Sequence, residues 1–282
     1  MTASPPQMSR IALAGWSLHR RFRRSVSPLT LLDFPQIARE EFGIAQIELN
    51  SPFFSYEASH DPAASPVAAG WLDGLRSAAE QAQVRIVGVA VDHHGDLASA
   101  DEQTRRTAVA QHAKWIQVCE HLGSSYFRAN SGAKGVGPVT DEHEAACATS
   151  FAELAERAAQ YNVSVLMENH WGLSADPERM VRVLRSVDND YCGALADFRN
   201  WPETVDPHQA LSMIAPFARV VHAKFLTFNE HGNDPDFDTP RALDILQRVG
   251  FAGPYAIEFE GQLDDHEGVV RSERLLRRLL KD

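Results

Sequence analysis

Eight short apolar runs recur along the whole chain, separated by amphipathic stretches. The runs are rich in Val, Ile, Phe and Ala, which is typical of strands that are buried in a parallel sheet. We predict strands at Ile11–Leu18, Ile44–Asn50, Arg85–Val91, Ser124–Asn130, Val163–Asn169, Tyr191–Phe198, Arg219–Phe225 and Tyr255–Glu260.

The amphipathic stretches carry helix-end signals. Gly43 and Gly123 are placed as C-caps, Asp-Pro pairs begin two helices at Asp176 and Asp206, and Thr239 is the expected cap of another. We predict helices within residues 29–43, 101–123, 141–161, 176–187, 206–216, 239–250 and 264–280.

This alternation predicts an α/β protein with a parallel sheet. Eight such units in 282 residues favour a closed (β/α)8 TIM barrel, as a single domain over residues 10–282 after a flexible tail over residues 1–9. The alternative is an open, doubly wound sheet. That fold normally has a GxGxxG turn after its first strand, whereas this chain has "HRRFRRS" there.

Charge and cysteine content narrow the functional classes. The net charge of −11 disfavours a nucleic-acid partner. Three scattered cysteines indicate neither a disulfide framework nor a thiolate zinc site, which suits a reducing compartment. We see no signal segment or membrane-spanning run, so we expect a cytoplasmic protein with no membrane partner.

Polar residues collect at the carboxyl ends of the predicted strands. Side chains alternate along a strand, so Glu168 and His170 should point into the barrel while Val165 and Met167 face the helices. Seven of the eight strands end in inward carboxylates, imidazoles or cations. One such residue is usually a satisfied core group, but the whole set predicts an active site at the C-terminal mouth.

Four of these residues come from consecutive strands and should converge. They are Glu168, Asp197, His222 and Glu258. Three carboxylates and one imidazole suit Mn²⁺ or Mg²⁺, with Co²⁺ or Zn²⁺ as alternatives. Without a cation, the crowded carboxylates would repel one another and raise each other's pKa.

Several motifs resemble those of the xylose isomerase-like barrel superfamily, in particular its sugar phosphate isomerase/epimerase branch. They are "MENH", "ADFRNWP", "VVHAKF" and "GPYAIEFEG", with "GWSLHR" and "LLDFPQIAREEFGI" nearer the N-terminus. The resemblance covers nearly the whole chain. It implies one divalent metal ion on Glu168, Asp197, His222 and Glu258, proton transfer by Glu168 and Glu258, and a homodimer as an alternative to a monomer.

The leading hypothesis is therefore a metal-dependent isomerase or epimerase of a sugar or keto-sugar. The reaction would abstract the proton α to a carbonyl and pass through an enediolate. The same intermediate also permits a lyase or dehydratase acting on a keto-sugar or keto-glycoside. An endonuclease-IV-like phosphodiesterase, disfavoured by the acidic charge, and a non-catalytic sugar-binding barrel are further alternatives.

The remaining mouth residues receive supporting roles. Lys224 and His170 are expected to bind substrate oxygens or relay a proton. Trp16 and Phe53 could stack on a sugar, and the loop that carries Lys134 lacks a P-loop ending, so we favour an unphosphorylated substrate. The other predicted substrate-binding residues are Glu48, Arg128, Asn130, His94, Trp171, Arg199 and Glu260.

Overall fold

Eight parallel strands close into a barrel in chain order in the computed structural model, which describes residues 9–54 and 68–281. The predicted (β/α)8 barrel in a single domain is confirmed. Except for Ser9, the predicted tail lies outside the described residues. The strands are β1 Ile11–Ala14, β2 Gln46–Asn50, β3 Arg85–Ala90, β4 Tyr126–Asn130, β5 Ser164–Glu168, β6 Cys192–Asp197, β7 Ala218–Phe225 and β8 Tyr255–Phe259.

Nine helices lie in the described part of the chain. They are α1 His19–Phe22, α2 Phe34–Phe42, α3 Ala69–Gln81, α4 Glu102–Leu122, α5 Asp141–Ala159, α6 Pro177–Val187, α7 Pro207–Ile214, α8 Thr239–Arg248 and α9 Asp265–Leu280. All seven predicted helices are present. Helices α1 and α3 are additional, and Gly70 and Gly74 weaken the helical signal of α3 in the sequence. None of the described helices is long and apolar enough to cross a membrane.

The predicted helix ends are largely confirmed. Gly43 and Gly123 both end their helices in the left-handed conformation. The side chains of Asp176 and Asp206 accept backbone N–H groups in the first turns of α6 and α7. The cap of α8 is a correction, because the side chain of Asp238 rather than that of Thr239 accepts the backbone N–H of Arg241.

Strand alternation divides the apolar residues into two clusters. Val165 and Met167 belong to the large cluster that joins the barrel to its helices. Leu166 belongs to a small cluster of inward-facing strand residues, which also includes Tyr126. This apolar layer closes the barrel interior below the polar strand ends, so the functional side chains converge above a closed floor.

A buried histidine on α4 makes the stability of the fold dependent on pH. His112 is 2% exposed, and its Nδ1–H donates to the carbonyl of Ala108 at 2.8 Å. Burial lowers the pKa of His112 from 6.5 to about 4. Between these values the unfolded chain binds the proton and the folded chain does not, so the free energy of unfolding falls as the pH falls through this window.

We therefore expect the free energy of unfolding to fall by about 2 kcal/mol from pH 7 to pH 5 because of His112. Urea unfolding of the wild type and of His112→Gln at both pH values measures this effect. The stability difference between the two proteins should shift by that amount in favour of the variant at the lower pH. A difference that does not change with pH would contradict the assignment.

Candidate metal centre and active site

Four acidic and imidazole side chains meet at the carboxyl ends of β5 to β8. Glu168, Asp197, His222 and Glu258 each present one potential ligand atom, and these atoms lie within 4.8 Å of one another. All four residues are at most 5% exposed. The residues predicted to hold a metal ion are therefore close enough to share one.

The cluster leaves several polar atoms buried without a hydrogen-bond partner among the described residues. They are Nδ1 of His222, Oδ2 of Asp197, Oε2 of Glu258 and Oε2 of Glu168, of which the last two lie within ion-pair distance of Lys224 and Arg128. Nδ1 of His222 lies 3.3 Å from Oε1 of Glu168, 3.6 Å from Oε2 of Glu258 and 3.9 Å from Oδ2 of Asp197. Because buried polar atoms normally have partners, this donor set fits a divalent cation.

Backbone and amide contacts hold Asp197 in place. Asn169 follows β5, and its side chain donates to the carbonyl of Asp197 at 2.9 Å and accepts the N–H of the same residue at 2.8 Å. Oδ1 of Asp197 accepts the N–H groups of Arg199 and Asn200 at 2.6 and 2.8 Å. These bonds turn Oδ2 of Asp197 towards the cluster.

Glu48 lies behind His222 rather than at the open mouth. Its Oε1 is 2.7 Å from Nε2 of His222, and its Oε2 accepts the hydroxyl of Tyr126 at 2.6 Å. Glu48 is fully buried. This position differs from the expected substrate contact, because protein groups already occupy both oxygens of Glu48.

Arg128 also lies deeper than expected. Its Nη1 contacts Oδ1 of Asp92 at 2.6 Å, and its Nε lies 3.1 Å from Oε2 of Glu168. Asn130 donates to the same oxygen of Asp92 at 2.9 Å, and its Oδ1 lies 3.2 Å from Nδ1 of His170. Burial opposes ionisation of Glu168, but the charges of Arg128 and His170 outweigh it and hold the pKa of Glu168 well below its usual range.

Lys224 neutralises the other side of the cluster. Its Nζ lies 2.9 Å from Oε2 of Glu258, 3.2 Å from Oε2 of Glu260 and 3.5 Å from Oδ2 of Asp197. Burial opposes ionisation of Glu258, but Lys224 and His222 outweigh it and lower the pKa of Glu258. Both glutamates predicted to transfer protons are therefore held ionised at neutral pH.

Asp197 behaves differently from the two glutamates. Burial raises the pKa of Asp197 to about 7, with Glu258 and Glu168 adding to the shift and Lys224 opposing it. Burial also disfavours the charged form of His222, but the surrounding carboxylates outweigh it and raise the pKa of that imidazole. Without a cation, the cluster thus retains protons that an ion would displace.

Sequence reasoning missed three residues that organise the centre. Asn200 joins its two sides, because it donates to Oε1 of Glu168 at 3.2 Å and accepts Nζ of Lys224 at 2.9 Å. Asp92 and Tyr126 were not assigned roles either, and their partners lie on other strands.

Aromatic residues lie at the C-terminal mouth of the barrel, in the segments that follow β1, β2 and β5. The ring of Trp16 stacks on that of Phe53 with centroids 5.7 Å apart, and Nε1 of Trp16 donates to Glu260. On the β5 side, Nζ of Lys134 lies 4.7 Å over the ring of Trp171. Protein groups therefore cover part of each ring, and the stacking of these rings on a sugar stays a prediction.

Two other predicted substrate contacts have protein partners. His94 Nδ1 lies 2.5 Å from the carbonyl of Asp92, and His94 Nε2 accepts Nε1–H of Trp115 at 3.0 Å. Arg199 contacts Oδ2 of Asp234 at 2.5 Å and lies over the ring of Phe237. The structure therefore places His94 and Arg199 in contacts that hold the mouth loops.

The loops after β3, β4 and β5 are joined at two glycines. A Cβ atom on Gly132 (φ +93°) would lie 2.0 Å from Oδ1 of Asp96, and one on Gly172 (φ +65°) would lie 2.0 Å from the carbonyl oxygen of Gly132. Asp96 also accepts the N–H of Ala133 at 2.9 Å, and Leu173 donates to the carbonyl of Gly132 at 3.2 Å. This arrangement leaves no room for a side chain at either glycine.

Comparisons with known proteins agree with this fold. A family model described as "Xylose isomerase-like TIM barrel" matches residues 38–279. No curated protein matches the chain.

Solved structures resemble the chain over nearly its whole length. An L-ribulose 3-epimerase has a TM-score of 0.76 at 18% identity, covering 97% of this chain and 95% of that one. The IOLI protein with a bound zinc atom has a TM-score of 0.74 at 15% identity, covering 97% and 98%. A xylose isomerase-like barrel protein from Mycobacterium smegmatis in complex with magnesium has a TM-score of 0.69 at 14% identity, covering 96% of each chain. The extent of the family match shows that this chain belongs to the xylose isomerase-like TIM barrel family.

Proposed function

We propose that this protein is a divalent-metal-dependent isomerase or epimerase that acts on a sugar or keto-sugar. The observation that carries the proposal is the cluster of buried ligand atoms from four strands at the barrel mouth, which lie within 4.8 Å of one another. The structural likeness to an L-ribulose 3-epimerase supports the same class of substrate.

Glu168, Asp197, His222 and Glu258 would hold the ion. When bound, a divalent cation there would act as a Lewis acid towards a substrate carbonyl and stabilise negative charge on its oxygen. The carboxylate-rich donor set favours Mn²⁺ or Mg²⁺. Zinc and magnesium occur in two structures of similar fold.

Glu168 and Glu258 are proposed to transfer the proton. They stand on the outer two strands of the four that carry the cluster. One carboxylate removes the proton from the carbon beside the carbonyl, and the C–H electron pair moves into the enediolate. The other, once it has taken a proton from solvent, donates that proton to the opposite face of that carbon, and the electron pair of the enediolate double bond forms the new C–H bond. The nearby cations keep both carboxylates able to accept a proton.

His170 and Lys224 are proposed to contact the substrate. The side chain of His170 is 35% exposed, and its Nδ1 lies 3.6 Å from Oε2 of Glu168. It is therefore more open than the neighbouring ligands and can reach a substrate oxygen. Lys224 is mostly buried but lies 2.9 Å from Glu258, where it can stabilise charge near that glutamate.

We favour an unphosphorylated substrate. Arg128, Lys224 and Arg199, the cations that border the cluster, already contact carboxylates. A phosphate beside the cluster would therefore meet excess negative charge.

Metal analysis and isotope exchange test this function. The purified protein should contain a divalent metal and should catalyse incorporation of solvent deuterium beside the carbonyl of at least one ketose or keto-glycoside. The ion-free protein is the control and should show no incorporation. A protein that binds no divalent metal would contradict the proposal. An unsaturated product would show that the reaction is an elimination and not an epimerisation.

A further inference from the structure

Three buried polar side chains are linked in a row inside the barrel. The row runs from Tyr126 through Glu48 to Nε2 of His222. The hydroxyl of Tyr126 donates to Oε2 of Glu48 at 2.6 Å, and Oε1 of Glu48 lies 2.7 Å from Nε2 of His222. Tyr126, Glu48 and His222 are exposed by 3%, 0% and 0%. Water therefore cannot replace either hydrogen bond without opening the barrel interior.

Gly88, on the strand between those of Glu48 and Tyr126, leaves room for the contact between these two side chains. Glu48 on β2 is in register with Gly88 on β3, and Gly88 is in register with Tyr126 on β4. The Tyr126 ring thus crosses the position of Gly88 to reach Glu48. A Cβ atom at residue 88 would lie 2.2 Å from the Tyr126 ring, so a side chain there would displace it.

The line of contacts determines which nitrogen of His222 faces the ligand cluster. A carboxylate can only accept a hydrogen bond, so Glu48 favours a proton on Nε2. Nδ1 then faces Glu168, Asp197 and Glu258, where its lone pair is available to an ion. Carboxylate partners behind metal-binding histidines commonly fix both the tautomer and the ring orientation.

We propose that Tyr126, seated over Gly88, is a positioning residue for the metal centre. Its hydroxyl holds Glu48, and Glu48 in turn holds His222 with Nδ1 directed at the ion. This inference rests on the proposed metal site but adds residues that do not touch the ion. Loss of the hydroxyl leaves Oε2 of Glu48 buried without a partner, which loosens its hold on His222.

Zinc binding by Tyr126→Phe tests the proposal. The variant keeps the ring and removes one oxygen, so the fold should persist while the Kd for Zn²⁺ rises by roughly 10- to 100-fold. Tyr255→Phe is the matched control, because it removes a hydroxyl from another largely buried tyrosine at 2% exposure and should leave the Kd unchanged. An unchanged Kd in Tyr126→Phe would overturn the proposal.

A double-mutant cycle distinguishes positioning through Glu48 from general destabilisation. In a Glu48→Ala background, Tyr126→Phe should cause no further loss of zinc affinity, whereas an equal additional loss would overturn the proposal. If Glu48→Ala does not fold, ¹⁵N spectra of the His222 imidazole in Tyr126→Phe decide the question. The Nε2–H signal should change, and an unchanged signal would overturn the assignment.

The same measurements separate this inference from the proposed function. A wild-type protein that binds no divalent metal removes the metal centre itself. The His222 imidazole signals can still be recorded in that ion-free protein. They report directly whether Tyr126 acts on the contact between Glu48 and His222.

Discussion

Replacing Glu168 by Gln is expected to reduce turnover of a sugar substrate by roughly 10²- to 10⁴-fold. The amide fills the same buried space but cannot accept the proton from the substrate carbon. Glu258→Gln should have a loss of similar size for the same reason. Steady-state rates measured at matched metal content separate the loss of the base from any loss of the ion.

The two variants should differ in the isotope exchange that they retain. In Glu168→Gln, the remaining Glu258 can exchange the substrate proton on only one face, so only one of two epimers should take up solvent deuterium. Glu258→Gln should exchange only the other epimer. Loss of both exchanges in one variant, with both retained in the other, would contradict a two-base mechanism.

Glu153→Gln is a matched control for these substitutions. Glu153 lies on the exposed side of α5 and pairs with Arg157 four residues later, away from the mouth. Surface pairs of this kind contribute little to stability. This variant should keep the wild-type rate, which shows that a Glu-to-Gln change alone does not disturb the barrel.

Removal of the metal ion is expected to abolish turnover and lower the melting temperature. An ion at 100 times its Kd stabilises the folded state by about 2.7 kcal/mol, which corresponds to roughly 5–10 °C for a chain of this size. The physical reason is that the four ligand atoms lie within 4.8 Å of one another only in the folded chain, so an ion that binds them stabilises the folded state. Thermal unfolding before and after chelation, and after metal is restored, measures the effect.

Asp197→Asn provides the control for the chelation experiment. It replaces one anionic ligand, so added metal should raise its melting temperature much less than that of the wild type. Metal affinity of the wild type should also increase with pH, because the ligands must lose protons before they bind. Equal metal-dependent shifts in both proteins would indicate that the ion binds elsewhere.

The regular features of the barrel could be predicted because they depend on local periodicity. Alternation along β5 separates Val165 from Leu166, and the same alternation places Glu168 at the mouth. Eight apolar runs were enough to predict the barrel, because a few consecutive buried residues mark each strand. Helix α3 escaped prediction because its two glycines weaken the local signal.

The contacts around the metal centre could not be predicted in the same way. Glu48 and His222 are 174 residues apart and meet only because the barrel closes. The alternation of side chains along each strand correctly predicted that Glu48 and Arg128 point into the barrel. It could not show that Tyr126 and Asp92 already occupy their polar groups. Inward direction follows from strand period, whereas partner choice depends on the register across several strands.

The two glycines that join the loops after β3, β4 and β5 have a consequence for engineering. Any library that randomises Gly132 or Gly172 would force these loops to shift, since an added Cβ atom at either position would lie 2.0 Å from an atom of a neighbouring loop. Trp171 lies next to one of these glycines but is only partly buried. Diversity introduced at Trp171 would change the side-chain surface beside the mouth while both glycines keep the contacts between the loops.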